Sequence, residues 1–513
     1  MASNGIESPP KRVKHESSST AGNFNLAPPT FDLDIWATHY EGALLPLRLS
    51  HVAIHCPTLA RQAMTMAIST AKEGKDVRLY TRICELADQL GFSDIGTPDE
   101  EHIAKQEEGN RRQLSKLESE LRGYKNNLIR ESIRMGQEDM ANHQLATGGP
   151  LPDPANPLST NAAGYNAAYQ AFGKMRDYCT TPTHMASMNL RLIYTAILQA
   201  VSMQQLGSSA GTNWNNVLST SSRLRTSGVK EEEQIKLTPI ATAMSGIAQL
   251  SQGNYRDAAA AFLATPKEYN TIGPVHGADF GRAVASANDI AIYGGLCSLA
   301  TLSRQELIDL VLGGNFRAFL ELEPHMRKAI SLYTTAKYQA CLDTLRRYYS
   351  DWSLDIFLGA QAMSARHGVS HVDLLFARIR EKSITAYFSS FSQVSLSALA
   401  TTFPPALSSS SSSSSSSAAA MMEEEVLRMI ETKQLDARLD VVKGVLVAPR
   451  KEARSAAHEE AKRVAEEVER TLLLRLHRVN VSLAGLGVPK GKGGNWGGEV
   501  GNGVGGGWRD YGG

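Results

Sequence analysis

The stretch "VLRMIETKQLDARLDVVKGVLVA", from Val426 to Ala448, changes its hydrophobic period twice. Apolar residues recur first at helical spacing, then in alternation with polar residues, and finally as a continuous apolar run. The first pattern predicts a helix and the other two predict strands. Helix, strand, turn and strand in this order form the closing half of a winged helix, so the stretch predicts that module. Winged helices bind DNA in some proteins and other subunits in others.

Charge separates these two uses of the module. DNA binding needs lysine and arginine where a helix meets phosphates, but the candidate recognition helix begins "MMEEEVLRMIE", with four glutamates and one arginine. In the strands that follow, the apolar residues are expected inside: Leu435, Ala437 and Leu439. The charged residues between them are expected outside: Asp436, Arg438 and Asp440. Because a mixed face beside a strand edge suits pairing with another chain better than contact with a duplex, these charged residues are predicted to form a protein interface.

Composition bounds the size and class of the protein. The 513 residues, 42% of them hydrophobic, predict about three domains. The formal net charge of +1 provides no overall field for nucleic acid or an anionic membrane, and no apolar run reaches the roughly 18 residues of a membrane span. The polar N-terminus does not resemble a secretory signal. Five scattered cysteines form no CxxC pair, which fits buried thiols in an intracellular protein.

A helical pattern fills the chain from Phe31 to about Pro266, with apolar residues three and four positions apart. A weak internal repeat is visible in "GNYRDAAAAF" from Gly253, "GNFRAFLEL" from Gly314 and "AKYQACLDTL" from Ala336. Each copy places an aromatic residue before small and apolar residues at helical spacing. This arrangement resembles the second helix of a tetratricopeptide-like pair, in which the aromatic residue wedges between helices. Three copies favour a solenoid of stacked helix pairs over a compact enzyme domain.

Several segments of biased composition interrupt this pattern. Disorder is expected for the tail at residues 1–30, for a serine-rich loop at 404–420 and for the glycine-rich tail at 487–513. The residues between Gly148 and Gly164 form a predicted loop insertion. The N-terminal tail contains "PPKRVKH", whose basic residues are Lys11, Arg12 and Lys14. This cluster is either a nuclear localisation signal or a solvated run of charge.

One long helix is predicted over residues 449–486. Its apolar residues form a stripe on one face: Ala461, Ala465, Val468, Leu472, Leu476, Val479 and Leu483. This stripe lies beyond the winged helix that completes the preceding fold, so it is predicted to be buried by partner helices. The candidate interface residues are its larger members: Val468, Leu472, Leu476, Val479 and Leu483.

Catalytic motifs give no positive sign of an enzyme. "HVAIH" places His51 and His55 at the spacing of two zinc ligands, but a hydrolase of this type needs glutamate where Val52 stands. Two packed or surface histidines are the favoured interpretation. The sequence contains no HxH pair of the JAMM/MPN isopeptidases, no GxSxG and no P-loop. We therefore predict a non-enzymatic protein without a cofactor or metal.

The chain resembles the PCI-domain proteins of the proteasome lid, the COP-nine signalosome and translation initiation factor three, which join helical repeats to a winged helix. The segments "NDIAIYGGLCSLATLSRQEL", "FRAFLELEPHMRKAI" and "IETKQLDARLD" are similar to the signalosome subunit-one family, as are "YEGALLPLRLSHVAIHCPTLARQA" and "MRDYCTTPTHMASMNLRLI" upstream. The resemblance covers most of Tyr40 to Ala448. It implies a mainly α fold, with a solenoid at 31–275, a PCI domain with helices at 276–390 and a winged helix at 391–448, and a C-terminal bundle helix.

The same resemblance implies a function. Members of this family are non-catalytic scaffolds of the complex that removes Nedd8 from cullin-RING ubiquitin ligases, and the metalloprotease lies in another subunit. The implied partners are other PCI subunits, the metalloprotease subunits and, through the complex, cullin-RING ligases, in the nucleus and cytoplasm. Two alternatives remain open: a PCI subunit of the proteasome lid, related to its subunit seven, and a winged-helix protein that binds nucleic acid.

Overall fold

The computed structural model describes residues 29–149, 164–207, 210–362, 369–404, 418–449 and 453–484. The chain divides into two compact units, Met1–Val447 and Ala448–Gly513, and each is described by itself. In the described residues, the first unit consists of packed helices followed by a small sheet, and the second contains one long helix. Within this part of the chain, no helix is both long and apolar enough to cross a lipid bilayer. The prediction of a mainly α fold is confirmed.

The helices of the first unit follow one another with short connections. They are α1 Leu33–Ala37, α2 Leu44–His55, α3 Ala60–Glu73, α4 Val77–Gln89, α5 Glu100–Asn126, α6 Arg130–Ala146, α7 Asn166–Met175, α8 Pro182–Gln205, α9 Gly211–Arg225, α10 Glu231–Ser251, α11 Tyr255–Leu263, α12 Phe280–Ala283, α13 Ala287–Thr301, α14 Arg304–Glu306, α15 Arg317–Leu322, α16 Pro324–Thr334, α17 Tyr338–Arg347, α18 Tyr349–Ser353, α19 His371–Phe388, α20 Leu396–Thr402 and α21 Ala418–Glu431. The strands are β1 Gln393–Ser395, β2 Arg438–Asp440 and β3 Val445–Val447, and the second unit contains α22 Ala453–Leu483.

The three repeated motifs place buried aromatic residues at the beginning of short helices. Tyr255, Phe316 and Tyr338 are 1%, 0% and 7% exposed. The two tyrosines are the first residues of α11 and α17, and Phe316 directly precedes α15. Two positions before each tyrosine the backbone has a positive φ, +81° at Gly253 and +61° at Ala336, so the chain turns sharply into the helix. The aromatic residues are therefore buried in the helical core, as predicted.

Two glycines in "AIYGGLCSLA" let other helices approach α13 closely. A Cβ added to Gly294 would lie 2.5 Å from the Phe316 ring, and one added to Gly295 would lie 2.4 Å from Cγ of Met326. Both distances are shorter than real Cβ contacts allow, so any larger residue would push α15 and α16 away. Because α13 is itself buried along most of its length, this close approach positions the centre of the first unit.

The end of the first unit is a winged helix. Its sheet has the order β1-β3-β2, and both pairings are antiparallel. Leu446 of β3 lies opposite Val394 on one side and Leu439 on the other, and it is fully buried. Helix α21 buries three residues at helical spacing, Met422, Val426 and Met429. The prediction from the stretch Val426 to Ala448 is confirmed.

Some predicted boundaries differ from the structure. Helix α21 begins at Ala418, inside the loop predicted at 404–420, because three consecutive alanines favour helix. The C-terminal helix spans Ala453–Leu483 rather than 449–486. The serine run from Ser408 to Ser417 and both predicted tails lie outside the described residues, apart from Pro29 and Thr30.

The two ends of the predicted insertion meet at Arg78, in an arrangement we call the Arg78 clasp. The carbonyl of Gly148 accepts two hydrogen bonds. One comes from the Arg78 guanidinium, and the other comes from the backbone N–H of Tyr165 at 2.9 Å. The Tyr165 hydroxyl donates to Asp76 at 3.1 Å. A Cβ at Gly148 or Gly164 would lie 1.7 or 2.2 Å from the Arg78 guanidinium. The clasp therefore requires glycine at both positions; residues 150–163 between them are outside the described part of the chain.

Candidate assembly surface

The charged residues of α21 are partly paired with α19 and are not all presented to solvent. Arg380 of α19 donates to both carboxylate oxygens of Glu425, at 2.7 and 2.9 Å, and its side chain is 9% exposed. It also donates to the carbonyls of Phe403 and Pro404, at 2.9 and 2.7 Å. In the opposite sense, Arg428 of α21 binds Glu381 of α19 at 2.8 Å. These pairs hold the winged helix on α19 and leave no excess of positive charge on α21 for a duplex.

Strand β2 forms one edge of the sheet, because it pairs only with β3 among the described strands. Asp436 and Arg438 are exposed, as predicted. Asp440 is half-buried, and its side chain accepts a hydrogen bond from the backbone N–H of Lys443 at 3.1 Å. The Asp440 side chain is 38% exposed, and its carboxylate also stabilises the turn between β2 and β3. On the inner side, Leu435 is buried and Leu439 is only half-buried.

The turn beyond β2 carries two apolar residues that the sequence analysis missed. Val441 is 60% exposed and Val442 is 97% exposed. We call these two residues the wing tip. Turns normally carry polar residues, so "DVVKG" contained a signal in the two adjacent valines before Lys443 and Gly444. An exposed apolar tip beside a free strand edge is suited to contact with another protein.

Helix α22 is exposed along its length. Its predicted stripe is about half exposed or more, with Val468 at 50%, Leu472 and Leu476 at 57%, Val479 at 53% and Leu483 at 81%. Leu473, Leu474 and Val481 are exposed by 52%, 53% and 46%, and the sequence analysis missed them. At 3.6 residues per turn, Leu474 and Val481 lie on the side opposite the stripe. Apolar residues on more than one side suit a helix that is surrounded by others, and the run "LLLRL" was the signal.

A buried ionic network, also missed, joins distant parts of the first unit. Arg48 of α2 is 0% exposed and donates to Asp355 at 2.8 Å and to the carbonyl of Val284 at 2.5 Å. The other oxygen of Asp355 accepts from the hydroxyl of Tyr293 at 2.8 Å. The guanidinium lies 4.2 Å from the centre of the Tyr40 ring. Burial by itself would lower the pKa of Arg48, but Tyr40 and Asp355 raise it above its ordinary value, so the side chain is charged.

His51 and His55 are placed by helix packing. Their ring centres are 4.1 Å apart, His51 is buried, and His55 is exposed and makes a 2.9 Å hydrogen bond through Nδ1 to the carbonyl of His51. Among the described residues, no group of histidine, cysteine, aspartate or glutamate side chains is arranged to hold a metal ion. The two histidines therefore have a structural explanation in α2.

Acid should weaken the fold through its buried histidines. Burial lowers the pKa of His51 to about 3, with His55 as a further cause, and burial lowers that of His371 to about 4. In the unfolded chain, histidine has a pKa near 6.5 and takes up a proton at a higher pH than the buried histidines do. The stability that the two neutral histidines contribute is therefore complete above about pH 6.5, and it is lost as the pH falls toward the pKa values of the folded protein. We expect the free energy of unfolding to lose up to about 1.4 kcal/mol per pH unit for each histidine.

Urea unfolding at pH 7 and pH 5 tests this expectation. The difference in free energy between the wild type and His51→Gln should shrink as the pH falls, whereas His458→Gln, at an exposed position of α22, should follow the wild type. A difference that stays constant between the two pH values would contradict the assignment of His51 as a buried neutral group.

Comparisons with known proteins agree with this architecture. The family model described as 26S proteasome subunit RPN7 matches residues 160–310, and the PCI domain model matches residues 345–450. The first match crosses the boundary predicted at 275, and that boundary stays a prediction. The second match ends beside the predicted end of the winged helix.

Curated relatives cover most of the chain. The chain is 38% identical over 460 residues to COP9 signalosome complex subunit 1 of Emericella nidulans. This alignment covers 89% of this chain and 83% of that protein. It is also 30% identical to the proteins of the same description from Neurospora crassa and Arabidopsis thaliana. The first of these alignments covers 86% of this chain and 87% of that protein, and the second covers 88% of this chain and 89% of that protein. With this similarity along nearly the whole chain, and with a PCI domain at the winged helix, the chain belongs to the COP9 signalosome subunit 1 family.

Proposed function

We propose that this chain is a non-catalytic scaffold subunit of the complex that removes Nedd8 from cullin-RING ubiquitin ligases. The observation that carries the proposal is the 38% identity, over 89% of this chain, to a relative described as COP9 signalosome complex subunit 1. The partners are other PCI subunits and the metalloprotease subunits, which supply the catalytic metal, and cullin-RING ligases are reached through the assembled complex. The chain acts by holding these partners together and performs no chemistry itself.

Two surfaces support a scaffold role. The first combines the free edge of β2 with the wing tip, where backbone groups and exposed valines are available side by side. An added strand at such an edge gains main-chain hydrogen bonds, and an apolar tip adds buried area. The second surface is α22, whose leucines are exposed on more than one side. Both surfaces suit protein partners, and neither provides the positive charge that a nucleic acid requires.

Val442→Asp should weaken assembly without weakening the fold. Since Val442 is 97% exposed, its replacement should change the free energy of unfolding by no more than about 0.5 kcal/mol. A carboxylate placed in an apolar contact should reduce co-purification of the neighbouring PCI subunit. Ile235→Asp, an equivalent change at a 57% exposed position of α10, is the matched control and should retain all partners. Full assembly of the Val442→Asp chain would show that the wing tip is not part of the joint.

The alternative of a proteasome lid subunit is favoured by one observation, the match of residues 160–310 to the RPN7 family model. Affinity purification of the tagged full-length chain separates the two functions. A signalosome scaffold brings PCI subunits, a metalloprotease subunit and cullins, whereas a lid subunit brings other lid proteins and ATPases of the proteasome. Recovery of the second set alone would refute the proposed function.

The proposed localisation is the nucleus and the cytoplasm. Lys11, Arg12 and Lys14 supply the basic cluster for import, and they lie outside the described residues. Replacing all three with glutamine should lower the nuclear fraction of the chain in fluorescence microscopy. An unchanged distribution would mean that import depends on another signal or on a partner.

A further inference from the structure

A cleft of about 650 Å³ opens in the first unit where the N-terminal segment meets α13, α16 and α18. Its walls include the aromatic rings of Trp36, Tyr348 and Trp352. Its carboxylates include Asp289, Glu323 and Asp351. The cleft thus combines flat apolar surfaces with negative charge, which are the two features that bind a lysine or arginine side chain in proteins.

The carboxylates of the cleft outnumber its cations. Arg48 is engaged with Asp355 at 2.8 Å, and Arg282 pairs with Glu41 at 3.1 Å. Within the described part of the chain, no lysine or arginine lies at ion-pair distance from Asp289, Glu323 or Asp351. His325 lies 3.2 Å from Glu323, and burial lowers its pKa, which favours the neutral ring. Uncharged groups donate to two of these acids, since the Tyr40 hydroxyl donates to Asp289 at 2.8 and 2.9 Å and the backbone N–H of Thr30 donates to Asp351 at 2.9 Å. The cleft therefore has more negative than positive charge, and Arg48 offsets part of the charge of Asp289.

The raised pKa values of Glu323 and Asp289 agree with an excess of negative charge in the cleft. Burial raises the pKa of Glu323, and the nearby carboxylate of Asp289 raises it further. Burial also raises the pKa of Asp289, and Asp355 adds to the effect although Arg48 opposes it. A cation that entered the cleft would offset both causes, because it would stabilise the charged forms of these acids.

The chain itself provides a cation at the rim of the cleft. Thr30 donates from its backbone N–H to Asp351 at 2.9 Å, so residues 1–28 continue from that rim. The only lysines and arginines in those 28 residues are Lys11, Arg12 and Lys14, and Pro9 to His15 contains no acid. About 18 residues separate Arg12 from Thr30, and a random coil of that length would have an end-to-end distance of roughly 23 Å and would give a local concentration in the millimolar range. The charges are complementary, and a segment of this length is long enough to reach the cleft from Thr30.

We propose that the cleft binds the side chain of Arg12 from this chain's own N-terminal tail, with Lys11 and Lys14 against its acidic rim. A guanidinium suits the cleft better than an ammonium does, because it is planar, stacks on aromatic rings and donates in a fork to carboxylates. The contact sequesters the basic cluster within the chain. Release of the tail would then make the cluster available to other proteins.

Limited digestion of the full-length chain with trypsin tests the proposal. Trypsin cleaves after Lys11, Arg12 and Lys14, so mass spectrometry of the products follows the cut after Arg12. The measured quantity is the rate of that cut relative to its rate in a synthetic peptide of residues 1–28. We expect the chain to be cleaved on the order of tenfold more slowly, and Glu323→Gln to restore most of the peptide rate. Glu321→Gln, at an exposed position outside the cleft, is the matched control and should remain protected. Equal rates for the chain and the peptide would refute the proposal.

Carbodiimide cross-linking of the unaltered chain provides a second measurement that needs no variant to fold. It should couple Lys11 or Lys14 to Glu323 or Asp351, and mass spectrometry should locate the bond within one chain. Cross-links to carboxylates elsewhere would overturn the choice of cleft. Protection or cross-links that disappear on dilution would show that the tail comes from a second copy and would overturn the intramolecular contact. A cross-linked pair inside the cleft at all dilutions supports it.

Discussion

A chain with aspartate at Leu472 and Leu476 should remain folded and lose its place in the complex. Both leucines are 57% exposed, so the substitutions remove no core contact from the free chain. In a helical bundle, each leucine contributes roughly 1.5–3 kcal/mol, and together they would account for an affinity loss on the order of a hundredfold or more. The buried carboxylates would add to that loss. Co-purification from cells measures assembly, and circular dichroism with thermal melting measures the fold.

The matched control for this variant is Leu128→Asp with Leu310→Asp, at two positions outside α22 that are 81% and 51% exposed. The control makes the same chemical change twice and leaves α22 unaltered. It should retain the partners that the leucine variant loses. A chain truncated before Ala461 should behave like the leucine variant. If either altered chain lost its cooperative melting, α22 would belong to the chain's own core and the bundle hypothesis would be wrong.

Arg48→Met should cause the largest loss of stability among single changes in the buried network. The substitution keeps much of the side-chain volume but leaves Asp355 without its cation in a buried site, where such a loss costs about 3–5 kcal/mol. The carbonyl of Val284 also loses a hydrogen bond. Urea unfolding of the full chain measures the change in free energy.

The exposed pair of Arg61 and Asp94 supplies the control for that measurement. Both side chains are more than half exposed, at 64% and 53%, so Arg61→Met should cost less than about 1 kcal/mol. Equal losses for Arg48→Met and Arg61→Met would mean that the buried network contributes little to holding α2 against the later helices.

Local patterns in the sequence predicted those features that depend on neighbouring residues. The change of period after Val426 indicated α21, β2 and β3, because burial on one face imposes helical or alternating spacing. The aromatic residues at Tyr255, Phe316 and Tyr338 were likewise predicted to be buried, since each lies in the same local motif. The apolar stripe of α22 was predicted for the same reason.

Features that depend on distant residues could not be predicted in this way. Arg48 stands in "LLPLRLSHVAIH" as a polar residue on an apolar helix, and its partner Asp355 is 307 positions further along the chain. Asp440 has the alternation of an outward residue, and that pattern does not reveal that its carboxylate also accepts a hydrogen bond from the backbone N–H of Lys443. The wing tip and Leu474 break the expected pattern of polar exposed positions. Exposed apolar residues of this kind mark surfaces at which partner binding outweighs the usual preference for polar residues in contact with water.

The Arg78 clasp has a consequence for how this protein can change in length. Because Gly148 and Tyr165 are joined by a hydrogen bond of 2.9 Å, α6 and α7 are held at the two ends of the insertion independently of what lies between. Each doubling of a flexible connection costs only about 0.6 kcal/mol. The position is therefore suited to the acquisition of extra sequence during evolution, and in the laboratory it is a natural point at which to insert a fluorescent reporter between two fixed helices.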